Sequence, residues 1–219
     1  DAMFVFDMAN DLPDNEFVNM ATGYLDCRLV PDLASARILT HRPGYALVFA
    51  DVEDPHGRPH PLAPRAVLQA QVARCASLGG SQQTLIPVVA TELEFYLCTP
   101  DWQPVQQHIQ YSSLTDGLHL EAVLKEMRDA LLGAGIDVES SNAEYGPGQI
   151  EINTAPADAM TAADNTVLFK SIVKQVAAHH GLRATFMPKP FADQSGSGMH
   201  SHTSLDVGGE TAFASSAHA

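Results

Sequence analysis

The chain has 219 residues, of which 45% are hydrophobic and 17% are charged, a composition typical of a globular protein and not of a disordered one. Its formal net charge is −14, and its 12 lysines and arginines form no basic run, which argues against binding to nucleic acid or to an anionic membrane surface. The three cysteines form no CxxC pair and no apolar run is long enough to predict a membrane span, so we expect no disulfide framework, no zinc finger and a cytoplasmic location.

The first predicted elements form a small mixed sheet. Strands are expected at 4–7 (FVFD), 24–30 (YLDCRLV) and 45–51 (YALVFAD), and the Pro- and Gly-rich stretch at 53–61 predicts a connection between domains. We therefore place a domain boundary between residues 54 and 55. The chain starts in a strand-like run without an initiator Met and ends in small residues, so we expect it to be part of a longer protein.

Beyond this boundary, predicted helices and strands alternate. Helices are expected at 64–79, 116–135 and 157–181, each closed by a glycine. Strands are expected at 88–98, 136–144, 148–153, 183–190 and 198–207. The short turn YGPG joins the second and third of these strands and predicts an antiparallel pair, so the order of elements indicates an α+β fold.

The strand TELEFYL (91–97) has one polar and one apolar face. Alternation places Glu92 and Glu94 on one side and Leu93, Phe95 and Leu97 on the other. Two carboxylates about 7 Å apart raise each other's pKa unless a cation lies between them. The alternative is an ordinary strand whose acidic face meets solvent.

The stretch AEYGPGQIE (143–151) carries two further glutamates. The tight turn at 146–148 can bring Glu144 and Glu151 to one place, with Gln149, Glu151 and Asn153 on one face of the second strand. The alternative is a hairpin with a polar outer face.

The stretch GSGMHSH (196–202) combines small residues with two histidines. His200, His202 and Ser204 share one face of the predicted strand, and Gly196 and Gly198 allow backbone amides to approach an anion closely. No Walker phosphate-binding loop is present, and the alternative is a polar loop with solvated histidines.

Together these stretches place four glutamates and one histidine on polar strand faces. Carboxylate oxygens suit Mg²⁺ or Mn²⁺, and one imidazole adds tolerance for Mn²⁺. A pair of such ions can neutralise the charge that develops in phosphoryl transfer. Five other histidines are interpreted as structural features. His179 and His180 end a helix and suit its C-terminus, and the turn residues His41, His56 and His60 are expected to be solvated.

The ordered set TELEF, AEYGPGQIE and TFMPKPFADQSGSGMHSHTSL resembles the glutamine synthetase family, and the earlier segments GYLDCRLVPDLASARIL and RPGYALVFADVEDPHG resemble its N-terminal β-grasp domain. The resemblance covers essentially the whole chain. It implies a partial β-grasp domain at 1–54, then at 55–219 the first half of a catalytic domain with a curved antiparallel sheet and flanking helices. It also implies an ATP-dependent ligase that joins the γ-carboxylate of glutamate to ammonia or an amine through a γ-glutamyl phosphate, in rings of identical subunits.

The same resemblance implies roles for ten residues. Glu94, Glu144 and Glu151 match the family's ligands of a first Mg²⁺ or Mn²⁺ ion. Glu92 and His200 match ligands of a second ion, which lies on the ATP phosphates. Nucleotide contacts are matched by Glu139, His202 and, less closely, Ser204. Gly196 and its neighbour Ser195 match positions that contact or lie near the glutamate substrate.

Three departures from the family pattern favour an amine larger than ammonia. The common family members have Asn at the position of Ser195 and two histidines at the positions of Asn142 and Ala143. The β-grasp loop that serves the neighbouring subunit's ammonium pocket is not recognisable, and Asp14 is the nearest acidic candidate. A γ-glutamylpolyamine or γ-glutamylalkylamide synthetase fits these changes.

Two alternatives stay open from the sequence. The family's second half, with its phosphate- and glutamate-binding arginines, is not in this chain, so we expect the chain alone to be inactive, and a non-catalytic relative used for binding or assembly is one alternative. The other is a cupin-type metalloenzyme built on His200, His202 and Asp206, against which the two long helices argue.

Overall fold

The computed structural model describes residues 9, 11–12, 14–79, 84–113 and 118–213. The strand predicted at 4–7 lies outside these residues. The described residues of the N-terminal part form four short strands: β1 (Arg28–Pro31), β2 (Arg37–Ile38), β3 (Ala46–Leu47) and β4 (Ala50–Glu53). β1 pairs antiparallel with β4, and β2 pairs antiparallel with β3, so they form two separate two-stranded sheets.

Two strand predictions in this part are corrected. The strand predicted at 24–30 begins only at Arg28, because Gly23 and Tyr24 have positive φ angles of 72° and 47° that hold them in a turn. The strand predicted at 45–51 is split between the two sheets. At the break, the amide of Phe49 donates to Ser35 Oγ (2.9 Å) and its carbonyl accepts from the amide of Asp32 (2.9 Å).

Beyond Glu53, the residues that the structure describes form three α-helices and seven strands. These are α1 (Pro64–Leu78), β5 (Leu85–Cys98), α2 (Glu121–Gly133), β6 (Val138–Ala143), β7 (Gln149–Thr154), β8 (Ala157–Asp158), α3 (Ala159–His179), β9 (Arg183–Thr185), β10 (Met199–Val207) and β11 (Glu210–Thr211). The strands form one sheet in the order β11-β10-β5-β7-β6, with β8 and β9 also paired to β5. Every pairing described in this sheet is antiparallel, as predicted.

The differences from the predicted bounds have local causes. The helix predicted from residue 157 begins two residues later because 157–158 pair with β5, and the carboxylate of Asp158 caps the helix by accepting from the amides of Met160 and Thr161 (both 3.1 Å). The strand predicted at 183–190 ends at Thr185, since Pro188 and Pro190 have no N–H to extend the ladder. The helix predicted from residue 116 begins at Glu121, after a 3₁₀ turn at Leu118–Leu120, and residues 116–117 lie outside the described residues.

One face of the large sheet packs against α2 and α3. Leu93, Phe95 and Leu97 are buried there, which confirms the predicted apolar face of β5. They meet Leu131 of α2 and Phe169 of α3, both fully buried. Burial of each such side chain contributes about 1.5–3 kcal/mol, so this layer holds the sheet in place and leaves its opposite, polar face available. Among the described helices, none combines the length and apolar character needed to cross a membrane.

Arg65, in the first turn of α1, links the N-terminal strands to α3. Its guanidinium pairs with Asp51, with Asp32 (2.6 Å) and with both carboxylate oxygens of Asp164 (3.2 and 3.1 Å). The hydrogen bonds that Arg65 donates to Asp164 raise the pKa of Arg65, and the bond that it donates to Asp32 lowers the pKa of Asp32. One cation thus holds carboxylates from three separate segments.

Candidate active site

The polar face of the sheet is organised by β5, which lies between β10 and β7. The register places Glu92 opposite His200 on one side and opposite Asn153 on the other. Two residues along, Glu94 lies opposite Glu151. Residues that are far apart in the chain therefore meet because three antiparallel strands present their polar faces to the same side.

Glu92 binds both histidines of the HSH stretch. Its Oε2 lies 2.9 Å from His200 Nδ1, and its Oε1 lies 2.9 Å from His202 Nε2. The hydrogen bond with His200 is the main cause that lowers the pKa of Glu92 and raises the pKa of His200. Of the alternative, the loop is wrong, because both residues lie on a strand, whereas both rings are more than half exposed to solvent while they pair with one carboxylate.

Three of the predicted metal ligands form a compact set. One ligand atom each from Glu92, Glu151 and His200 lies within 4.8 Å of the other two. Glu94 approaches the same place from the side of Gly198. A Cβ at Gly198 would lie 2.9 Å from Glu94 Oε1 and 3.0 Å from His200 Nε2, so a larger residue would displace this carboxylate or this imidazole.

Glu144, which follows β6, completes the acidic group. Burial is the largest cause that raises the pKa of Glu144, and the charges of Glu151 and Glu94 raise it further. The turn therefore brings these three carboxylates close together, as predicted. Asn142 Nδ2 donates to Glu144 Oε1 (2.9 Å), which orients the carboxylate. Several carboxylates with one imidazole are a donor set that fits Mg²⁺ or Mn²⁺, and a divalent cation would relieve their mutual repulsion.

The predicted nucleotide residues divide into two groups. Glu139 and His202 line one cavity of about 420 Å³ together with Glu92, so the structure brings these two predicted residues beside the acidic cluster. Ser204 lies two residues beyond His202 along β10, opposite Val88, and its hydroxyl hydrogen-bonds Thr211 Oγ1 (3.1 Å). The structure does not bring Ser204 to this cavity.

The loop before β10 is fixed to the polar face through its backbone. The carbonyl of Ser195 accepts from the hydroxyl of Tyr96 (2.6 Å), and the carbonyl of Gly196 accepts from Gln149 Nε2 (2.9 Å). A Cβ at Gly196 would lie 2.9 Å from the carbonyl oxygen of Pro188, so glycine allows this close approach.

Gln149 is a central residue of the site that the sequence did not single out. Its side chain is almost fully buried, and its Nε2 donates both to Glu94 Oε2 (2.7 Å) and to the Gly196 carbonyl (2.9 Å). Its Oε1 accepts from the amide of Gly146 (2.9 Å). One amide therefore connects the hairpin turn, the acidic strand and the glycine-rich loop. The available signal was its position on the same strand face as Glu151.

Tyr96 is the second such residue. Burial, with a smaller effect of the nearby charge of Glu94, raises its pKa to about 12, so its hydroxyl stays protonated and donates to the Ser195 carbonyl. A Cβ at Gly146 would overlap this hydroxyl, which explains why the turn has glycine there.

The comparisons with known proteins agree with this geometry. The sequence profile described as glutamine synthetase, catalytic domain, matches residues 61–219, and the chain belongs to this family. It is 35% identical to a glutamate–isopropylamine ligase from Pseudomonas sp. over 97% of the chain and 48% of that relative. It is 38% identical to the glutamine synthetase of Thermus thermophilus over 84% of the chain and 41% of that relative.

The fold of this chain is also similar to that of solved structures. The ligand-free structure of GmaS superposes with a TM-score of 0.79 at 34% identity, covering 86% of this chain and 45% of that one. The large sheet and its helices are thus the glutamine synthetase catalytic-domain fold, and the chain spans about half the length of the relatives it matches. The cupin alternative is wrong. The family is a different one, and Asp206 accepts from the amide of Gly209 (2.8 Å) at the turn after β10.

Proposed function

We propose that the protein at its full natural length is an ATP-dependent ligase that joins the γ-carboxylate of glutamate to ammonia or an amine through a γ-glutamyl phosphate. The observation that carries the proposal is the convergence of Glu92, Glu94, Glu144, Glu151 and His200 on one polar sheet face. That face belongs to a domain of a family whose relatives include named glutamine synthetases and a glutamate–isopropylamine ligase.

Two divalent cations, Mg²⁺ or Mn²⁺, would fit this cluster. Glu94, Glu144 and Glu151 would hold the first, and Glu92 with His200 would hold the second; Glu151 is close enough to contribute to both. When bound, the cations supply positive charge against the phosphate oxygens during phosphoryl transfer. The chain's own contribution is to orient the ligands. His202 fixes one oxygen of Glu92, and Gln149 fixes one oxygen of Glu94.

Substrate contacts are proposed on both sides of this cluster. Glu139 and His202 would contact the nucleotide, since they share a cavity with Glu92. Ser204 stays a prediction, with its hydroxyl engaged at the far end of β10. Ser195 and Gly196 would lie at the amino-acid end of glutamate, on a loop that Tyr96 and Gln149 hold.

We further propose that the acceptor is an amine larger than ammonia. The support is the similarity to a glutamate–isopropylamine ligase and the presence of Asn142, Ala143 and Ser195 where common family members have bulkier or different polar side chains. Asn142 contacts Glu144 directly, so the substitution lies against the acidic cluster. We also propose that residues 1–54 belong to a β-grasp domain and that the complete protein forms rings.

The test is an assay of phosphate release from ATP with glutamate, Mg²⁺ or Mn²⁺, and a panel of ammonia, methylamine, ethylamine, isopropylamine, putrescine and spermidine. We expect glutamate-dependent turnover that is highest with one of the amines and is abolished by His200→Ala. Binding of ATP and metal without turnover for any acceptor would instead support the non-catalytic relative.

A further inference from the structure

A second group of histidines and a carboxylate lies between two helices, away from the proposed active site. Glu126 of α2 faces His179, the last residue of α3, and His180, which follows it. Glu126 Oε1 is 3.0 Å from His179 Nδ1, and Glu126 Oε2 is 2.7 Å from His180 Nε2. One ligand atom from each of the three residues lies within 4.8 Å of the other two.

This arrangement differs from the helix-terminus role predicted for the two histidines. An imidazole that served only the end of α3 would be directed at the last carbonyl groups of its own helix. Both rings are instead directed at one carboxylate on another helix. Two imidazole nitrogens and one carboxylate oxygen at this spacing are a donor set that suits divalent transition metals.

His41 lies beside this group, on the wall of a shared cavity. A cavity of about 340 Å³ is lined by His41, Arg42, Glu126, Gln175 and His179, with two apolar residues of α3. The expectation that His41 is solvated is wrong, because it is half-buried and its Nε2 lies 3.1 Å from Gln175 Oε1. Its Nδ1 is buried and has no hydrogen-bond partner among the described residues.

The protonation of His41 follows from its neighbours. Arg42 Nη1, which can only donate, lies 3.5 Å from Gln175 Oε1, so this atom is an acceptor and His41 Nε2 carries the proton. In neutral His41 the lone pair is therefore on Nδ1. This lone pair is buried, so His41 in its present position is a neighbour of the group and not one of its ligands.

We propose that Glu126, His179 and His180 bind a divalent transition-metal cation of the zinc class. Binding to neutral rings needs only that the protons now directed at Glu126 move to the other ring nitrogens. Mg²⁺ prefers oxygen ligands, so the site would discriminate against the ions that suit the carboxylate-rich cluster. The bound ion would join α2 to the end of α3.

The probe is Co²⁺ alone, added to the chelator-stripped full-length natural protein in excess Mg²⁺, with binding followed by visible absorption and then reversed by Zn²⁺. The test variant is His179→Gln with His180→Gln. The side chains of His179 and His180 are 77% and 30% exposed, and neither belongs to the hydrophobic core, so the double replacement removes no core contact. His56→Gln is the matched control at an exposed histidine elsewhere, and His200→Ala removes an imidazole from the acidic cluster.

We expect the double variant to weaken Co²⁺ binding at least about 10-fold, because loss of even an outer-shell partner costs about 10–100-fold in metal affinity. His56→Gln and His200→Ala should leave this binding unchanged, and Zn²⁺ should raise the thermal midpoint of the parent protein but not of the double variant. Unchanged Co²⁺ affinity in the double variant, or its loss only in His200→Ala, would overturn the proposal. The measurement needs no ATP or glutamate, so it is independent of the ligase assay.

Discussion

In the part of the chain that the structure describes, one glutamate pairs with two histidines at two places, and the two groups are built differently. Glu92, His200 and His202 stand on adjacent strands whose register also delivers Glu94 and Glu151. The group around Glu126 joins two helices and pairs this one carboxylate with the imidazoles of His179 and His180. A sheet repeats its polar residues every second position and so accumulates carboxylates, whereas a helix–helix contact brings together only a few side chains. We expect the first group to bind hard divalent ions for chemistry and the second to bind a transition metal for stability.

The largest effect should come from the strand-built group. Glu151 lies near Glu92 and His200, and its charge raises the pKa of Glu144, so Glu151→Gln should lower kcat at least about 100-fold, since a catalytic metal supplies several kcal/mol of charge stabilisation. Steady-state kinetics with Mn²⁺ and Mg²⁺ would measure this. Glu210→Gln, on the exposed strand β11, is the control and should retain activity. Near-normal turnover in Glu151→Gln would remove this residue from the metal site.

A smaller loss of activity is expected when Gln149, which orients Glu94 in the first group, is replaced. Gln149→Leu would leave Glu94 Oε2, the Gly146 amide and the Gly196 carbonyl without their common partner. We expect kcat/KM to fall about 10–100-fold, the usual cost of losing a residue that orients metal ligands. Gln149→Glu, which keeps the shape but adds a charge beside Glu94, should be worse. An unchanged kcat/KM in Gln149→Leu would show that the carboxylates hold their positions without this amide. The exposed Gln71→Leu serves as the control.

The next effect concerns stability away from both groups. Arg65→Gln leaves Asp32, Asp51 and Asp164 without their shared cation. Breaking a fully buried pair costs about 3–5 kcal/mol, and because these side chains are 12–34% exposed we expect about 1–3 kcal/mol, measured as a lower thermal midpoint. Arg58→Gln removes an ion pair whose arginine is 72% exposed, and it should have no measurable effect. Equal midpoints for the two variants would mean that solvent screens the Arg65 group as fully as a surface pair.

The smallest effect is a pH dependence of the helix-built group. Hydrogen bonds from His179 and then His180 lower the pKa of Glu126 below its usual 4.5. A depressed carboxyl pKa gives stability that is present above pH 4.5 and is lost as the pH falls through the folded-state value. Since this carboxylate is about a third exposed, the contribution is about 0.5 kcal/mol or less. Comparing unfolding free energies of the parent and Glu126→Gln between pH 3 and 6, in chelator, should show the difference shrinking at the acid end. A constant difference would contradict the assignment.

Much of the fold could be predicted from the sequence because it depends on local periodicity. Period-2 alternation correctly assigned the polar and apolar faces of β5 and β7, and the turn glycines marked the ends of the helices. The errors came where distant segments intervened. The strand predicted at 45–51 is divided because its two ends pair with different partners, and α3 begins late because 157–158 are bound by β5.

The sequence by itself determined which residues can face the site: the alternation of Glu92 with Glu94 and of His200 with His202 follows from the covalent geometry of a strand. Only the tertiary structure decided that these residues lie close together. Strand register sets Glu92 between two histidines, and a buried amide at Gln149 joins three segments. The docking of α2 on α3 likewise brings Glu126 to residues 53 and 54 positions away. Such pairings depend on long-range packing that no local pattern encodes, because a helix or strand can present the same face to many partners.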